Sequence, residues 1–154
     1  MLHALSDEGW ENNVKWCVPS VISIITGMPL AMSHMKAAFY ENIGIKDVET
    51  VAASNAIMIL NEEGFICEKI DLKSRYPQLE YGPSIKRFMK ELQGFEKAMP
   101  LMISVGDGKA SHMIAAHMEF ICDNSTMKPI HYTKFHKLGR AVKNAWIVKR
   151  KNYK

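Results

Sequence analysis

Three residues of this chain have the types and spacing that nucleophilic chemistry needs. Cys17 stands just ahead of the apolar run Val18-Pro19-Ser20-Val21-Ile22, His112 opens the segment His-Met-Ile-Ala-Ala, and Asp123 closes Phe120-Ile121-Cys122. A thiol attacks as its thiolate, and the unpaired N–H groups and dipole of a helix N-terminus favour that anion. An imidazole can take the thiol proton, and a carboxylate can fix the ring's tautomer and hold the imidazolium. In this reading Cys17 is the nucleophile, His112 its base and Asp123 the orienting acid. The other reading makes Cys17 a small buried apolar residue beside Trp16, and its position alone does not separate the two. Cys67 and Cys122 lie within apolar strand patterns and read as inert.

Acyl chemistry at Cys17 also needs donors for a tetrahedral oxyanion. Asn12 and Asn13 precede the cysteine and can offer side-chain N–H groups beside its own backbone N–H. Strand alternation puts His112 on one face with Ile114 and Ala116, and turns His117 to the other. A hairpin centred on His117-Met118 would set Asp123 directly opposite His112. A slip of one residue would give the orienting role to Asn124 instead.

The elements that must carry these residues read as helices first and strands later. Pro19 near the start and Gly27 just past the end predict a helix over residues 18–26. Further helices are expected over 33–42, over 50–63 with Gly64 closing it, and from a Ser84 cap to residue 92. Strands are expected over 65–72, 101–105, 111–116, 120–122, 132–136 and 145–149, with a loop over 75–82 and a turn at Gly106-Asp107-Gly108. That grouping predicts an α+β fold, N-terminal helices packed on a C-terminal antiparallel sheet, in a single domain spanning 1–154.

Composition narrows the classes. With 47% apolar and 23% charged residues, the chain has the makings of a buried core. Three cysteines without a close pair argue against a disulfide framework and for a reducing compartment. Neither CxxC nor HExxH occurs, so no metal or other cofactor is expected. The N-terminus lacks the pattern of a signal peptide, and no apolar run approaches the roughly 20 residues of a membrane span. A cytoplasmic protein without a membrane partner is the expectation. The 11 methionines read as core filler or as an adaptable binding surface.

Net charge is +4, but residues 125–154 hold nine Lys or Arg and no acid, which leaves the rest of the chain at −5. This segment, with a basic tail from about 149 to 154, suits an acidic partner or a solvated, lysine-blunted sheet edge. Nucleic acid ranks last as that partner, because no basic-aromatic stacking pattern there supports sequence readout.

Several motifs together resemble the papain-like cysteine peptidases, and more closely the small phage- and plasmid-type members related in fold to bacteriocin-leader peptidases. Cys17-Val-Pro-Ser-Val-Ile-Ser-Ile-Ile-Thr-Gly27 is similar to their nucleophile helix ending in Thr-Gly. Gly82-Pro-Ser-Ile-Lys-Arg-Phe-Met-Lys-Glu resembles their short Gly-Thr/Pro-Ser helix. Ser111-His112-Met-Ile-Ala-Ala, then Phe-Ile-Cys-Asp123-Asn, resembles their histidine strand and terminal acid, and Trp146 their closing aromatic strand. The chain departs from the pattern in having Asn12 and Asn13 rather than a glutamine before the cysteine, and Cys-Val rather than Cys-Gly. The resemblance implies an intracellular, phage-encoded peptidase or amidohydrolase using Cys17, His112 and Asp123 on a protein or peptide substrate. Its runner-up is an inactive papain-like scaffold that binds a partner protein.

Overall fold

Eight successive residues of the first helix, Val18 to Ile25, are buried, so α1 (Cys17–Thr26) has no solvent face. A helix apolar all round belongs at the centre of a domain, and this one lies between the sheet and two other helices. Pro19 costs nothing in the first turn, where its missing N–H would have had no helical partner. Gly27 ends the helix at φ +79°, its N–H donating to Ser23 O at 2.8 Å. The computed structural model describes residues 1–5, 17–48, 50–106 and 111–151.

α2 (Leu30–Glu41) begins three residues earlier than its periodicity suggests. Pro29 supplies the extended entry and accepts from Met32 and Ser33, so the helix starts directly after it. Ser23 on α1 and Ser33 on α2 share a hydrogen bond of 2.7 Å, and Ser33 also donates to Pro19 O at 2.9 Å. These buried hydroxyls satisfy one another and fix how α1 lies on α2. α3 (Ala53–Glu62) follows and leads through Gly64, at φ +92°, into β1 (Phe65–Lys69).

The expected strand over 65–72 stops at Lys69. Asp71 accepts from Ser74 N and caps a short helix, α4 (Leu72–Arg75), in its place. α5 (Ile85–Glu91) starts where the Ser84 cap predicts, with Ser84 Oγ accepting from Arg87 N. A further short helix, α6 (Gly94–Lys97), precedes the remaining strands.

Those are β2 (Leu101–Gly106), β3 (Ser111–His117), β4 (Phe120–Cys122), β5 (Ile130–His131) and β6 (Ala141–Arg150). All pairings among the described residues are antiparallel, in the order β1-β6-β2-β3-β4-β5, so the chain is α+β, with three described α-helices ahead of a six-stranded sheet and the short α4, α5 and α6 following β1. The strand expected over 132–136 is instead a 3-10 turn at Tyr132–Lys134, because the His131 side chain accepts from Thr133 N and bends the chain away from the ladder. The expected Gly106-Asp107-Gly108 turn lies mostly outside the described residues.

Alternation along the strands splits the core in two. Met102, Met113, Ala115, Cys122, Trp146 and Val148 face α1, α2 and α3. Leu101, Ile103, Val105, Ile114, Ala116 and Ile121 face α5 and the segment around Tyr132 and Phe135. Covering both faces of the central strands explains their nearly continuous apolar sequence. Among the described residues, no helix is long and apolar enough to cross a membrane.

Candidate functional site

Cys17 is the first residue of α1, half-buried, with the helix's open N–H groups just beyond it. α1 packs against β3, and the geometry of that strand's edge decides what the thiol meets. β4 pairs only with residues 115–117 of β3, so among the described residues Ser111 to Ile114 have no strand partner on that side. The N-terminus of α1 comes to this stretch of edge. The Cys17 sulfur feels the Met113 backbone N–H and the His112 ring, and both favour its thiolate.

The other end of the ring is held as firmly. His112 Nε2 donates to Asp123 Oδ2 at 2.7 Å, with the carboxylate fully buried and the imidazole 16% exposed. An ionised carboxylate only accepts, so Nε2 carries a proton and Nδ1 is the nitrogen left for the thiol. Asp123 Oδ1 accepts from Ser125 N at 2.9 Å, Ser125 Oγ at 2.6 Å and Thr126 N at 2.9 Å. Its two oxygens therefore divide the work. One ties down the turn after β4 and the other orients the ring.

Titration follows from these contacts. Burial opposes ionisation of Cys17, but the His112 hydrogen bond, the Met113 N–H and the nearby imidazolium outweigh it and hold the thiol below its ordinary value. Burial likewise opposes charging of His112, yet its bonds to Asp123 and Cys17 raise it to about 9. Asp123 falls to about 2 despite its burial, through His112, Ser125 and Thr126. The other two thiols contrast with this. Burial lifts Cys67 and Cys122 each to about 11.

The hairpin register differs from the sequence-based expectation. Ala115 pairs with Cys122, Ala116 with Ile121 and His117 with Phe120, so the turn is Met118-Glu119, with Met118 at φ +58°. Continued one step, that register sets Asp123 opposite Ile114, and the carboxylate reaches His112 diagonally. A register change of two residues preserves the face, which is why the two residues still meet. Asn124, the alternative orienter, is buried next in the chain, and the imidazole's bond is made by Asp123. Asn12 and Asn13, the expected oxyanion donors, lie outside the described residues.

Sequence reasoning passed over Met113, Ser125 and Thr126. The last two had a readable signal, since an Asp followed two and three residues later by Ser and Thr favours a side-chain-capped turn. The Met113 contribution is a backbone one and left no trace in residue type. The basic C-terminal segment is partly committed within the fold: Lys149 pairs with Glu68 at 2.9 Å, Arg150 covers the Phe65 ring, and Lys151 Nζ donates to Asn61 O. No model of a known protein family matches the chain, and a comparison with curated proteins finds no match either.

Proposed function

We propose that this chain is a papain-like thiol hydrolase that cleaves a peptide or isopeptide bond of a protein substrate by acyl transfer. One observation carries the reading: a single imidazole joins Cys17, at the start of a buried helix, to the fully buried carboxylate of Asp123. The order helix cysteine, strand histidine, then an acid just past a strand of an antiparallel sheet supports the papain-like assignment.

In this mechanism the Cys17 thiolate adds to the carbonyl carbon, forming the S–C bond and moving the electron pair to oxygen. The backbone N–H of Cys17 stabilises that oxyanion. Collapse breaks the C–N bond while His112 gives its Nδ1 proton to the leaving amine. The neutral ring then takes a proton from water, hydroxide displaces the thiolate, and a carboxylic acid leaves. Asp123 remains ionised throughout and holds the ring in place. The residues supply every proton transfer in this sequence.

A second reading has one observation in its favour. Met32, Met35 and Phe39 are exposed on successive turns of α2, a stripe suited to binding a partner in a catalytically silent scaffold.

The test is the pH dependence of Cys17 alkylation by iodoacetamide in the native protein and in His112→Ala. Cys67 and Cys122 titrate near 11 and stay silent at neutral pH, so the early signal belongs to Cys17. Hydrolase chemistry requires reactivity well below the ordinary thiol range, lost in the variant. A Cys17 that reacts alike in both proteins favours the silent scaffold.

A further inference from the structure

The geometry points to a second recognition element for the proposed substrate: a cleft beside the thiol site that takes an acidic side chain of the polypeptide being cleaved. This inference rests on the acyl-transfer reading for its alignment, but the cleft's ligand preference can be measured without any chemistry.

A cavity of about 840 Å³ lies at the start of β6, walled by α4, by the segment that follows it and by residues 139–143. Its position relative to the site is fixed by the sheet. His112 pairs with Val105 on β2, and Val105 pairs in turn with Val142, which lines the cleft. Residues directly opposite share a face, so the backbone positions of His112, Val105 and Val142 line up across one end of the sheet. Two strand spacings, about 10 Å, separate His112 from Val142, and Cys17 lies on the far side of β3 from β2, so an extended chain needs more than about three residues to run from thiol to cleft. A polypeptide with its carbonyl at Cys17 would thus bring a side chain several positions away, more than about three, to the cleft.

Charge identifies what that side chain would be. Lys73, Arg140 and Lys143 line the cleft, and none of the three makes an ion pair among the described residues. The lining has one acid, Glu80, and Asp71 at the adjoining cavity acts on Lys73, so the three cations outnumber the two carboxylates near them. Lys73 and Lys143 also line an adjoining cavity of about 360 Å³, so the cations stand between two openings. The floor is apolar, with buried Tyr76 and Val142. A carboxylate on a short aliphatic stem meets both requirements.

The backbone contains a device that places one of these cations. Ser104 pairs with Asn144, but the next residue, Val105, pairs with Val142, so Lys143 is an extra residue bulged out of β6. The bulge lets Val142 stay on the core face while Lys143 leaves the ladder at the cleft. Bulges re-aim side chains in this way beside binding sites.

The experiment uses the full chain as Cys17→Ala, which cannot turn over, and three fluorescein-labelled Ala-Gly-Ser dodecapeptides carrying a central Glu-Glu, Gln-Gln or Lys-Lys pair. Fluorescence anisotropy should show the Glu-Glu peptide binding about tenfold more tightly than the Gln-Gln peptide. Adding Arg140→Glu and Lys143→Glu should transfer the preference to Lys-Lys, and the milder Arg140→Gln with Lys143→Gln should abolish it. Lys128→Glu with Lys134→Glu makes the same change of charge outside the cleft and should leave it intact. Equal binding of the three peptides, a preference that survives both cleft variants, or equal loss in the outside variant overturns the cleft assignment. If the preference behaves as expected while Cys17 alkylation is independent of His112, the cleft stands and the hydrolase reading falls.

Discussion

His112 and Asp123 bond at 2.7 Å across the β3–β4 hairpin without being cross-strand partners. The contact is diagonal, made possible because β4 ends at Cys122 and the next residue turns its carboxylate back along β3. Ser125 and Thr126 hold the other carboxylate oxygen, so the ring is oriented by a group that is itself oriented. A tie of this kind makes separable predictions about charge, position and stability.

Asp123→Asn keeps an acceptor for the turn and removes the charge. The imidazolium then loses its main stabilising partner, so the midpoint of Cys17 alkylation should move up in pH and the rate at pH 7 should fall about tenfold or more. Asp123→Ala additionally leaves the Ser125 and Thr126 donors without their acceptor and should cost about 3 kcal/mol of stability, against about 1 for the Asn variant beyond the charge effect. Alkylation kinetics and urea titration on the two variants measure these effects separately. Equal loss of stability in both would mean that Oδ1 does not hold the turn.

The same carboxylate sets a pH dependence of folding. Its folded value of about 2 lies below the ordinary aspartate value, so its stabilisation is fully present above about pH 4 and is lost as pH falls through 2. The contribution is on the order of 2 kcal/mol for a shift of this size. Urea titrations from pH 6 to pH 2 should show the native protein's advantage over Asp123→Asn shrinking below pH 4 and nearly gone at pH 2. An advantage constant across that range would place the stabilisation elsewhere.

Turnover should carry the signature of the other two groups. Catalysis by the ion pair needs Cys17 ionised and His112 protonated. A cleaved peptide's kcat/KM should therefore rise on an acid limb set by the lowered thiol and fall on an alkaline limb near 9, where His112 loses its proton. Alkylation by iodoacetamide needs no proton from the ring and should lack the alkaline limb. An identical profile for both reactions would remove His112 as the acid for the leaving group.

The local signals in the sequence located the elements that carry the site. Pro19 and Gly27 bracket α1, and Ser84 caps α5, because each acts through its own backbone or a neighbour three residues away. Face assignment survived as well: an error of two residues in the hairpin register still leaves Asp123 on the side of His112. Less was legible where distant segments decide. The bulge at Lys143 depends on β2 pairing across it, and the Met113 N–H acts on Cys17 from a stretch of β3 that the three-residue β4 does not reach. The 132–136 segment has strand-like residues, but the His131 side chain bends it into a 3-10 turn.

The wall of the proposed cleft hangs on a buried ion pair. Glu96 is 1% exposed and takes both terminal nitrogens of Arg75, the last residue of α4, while also accepting from Gln93 N at 2.9 Å. Removing the guanidinium leaves a buried carboxylate without its counter-charge, so Arg75→Ala should cost about 3 kcal/mol. Arg75→Met with Glu96→Leu removes both charges and should recover most of that loss. Urea denaturation measures the cycle, and because Glu96 is buried the coupling should persist at 0.5 M salt, about five times the ionic strength that already screens surface pairs. If the single variant costs no more than an exposed pair, α4 is not anchored by this contact.

Gly82 links that wall to β6. It sits at φ +84°, and a Cβ there would fall 2.2 Å from Val142 O, a backbone atom that cannot step aside without moving the strand. Pro83 O accepts from Val142 N at 2.7 Å, and Ser84 bridges to Ala141, so the Gly-Pro-Ser segment is stitched to the strand on both sides of the contact. Gly82→Ala therefore meets two penalties, an unfavourable φ and a clash with the sheet, and should destabilise the protein by about 2–3 kcal/mol. It should also weaken the Glu-Glu peptide preference, since Val142 floors the cleft, while the pH midpoint of Cys17 alkylation stays in place. Thermal melts, anisotropy and alkylation on this one variant test the separation. A shifted alkylation midpoint would mean that strain at Gly82 travels through β2 to His112, and that cleft and thiol respond as one unit.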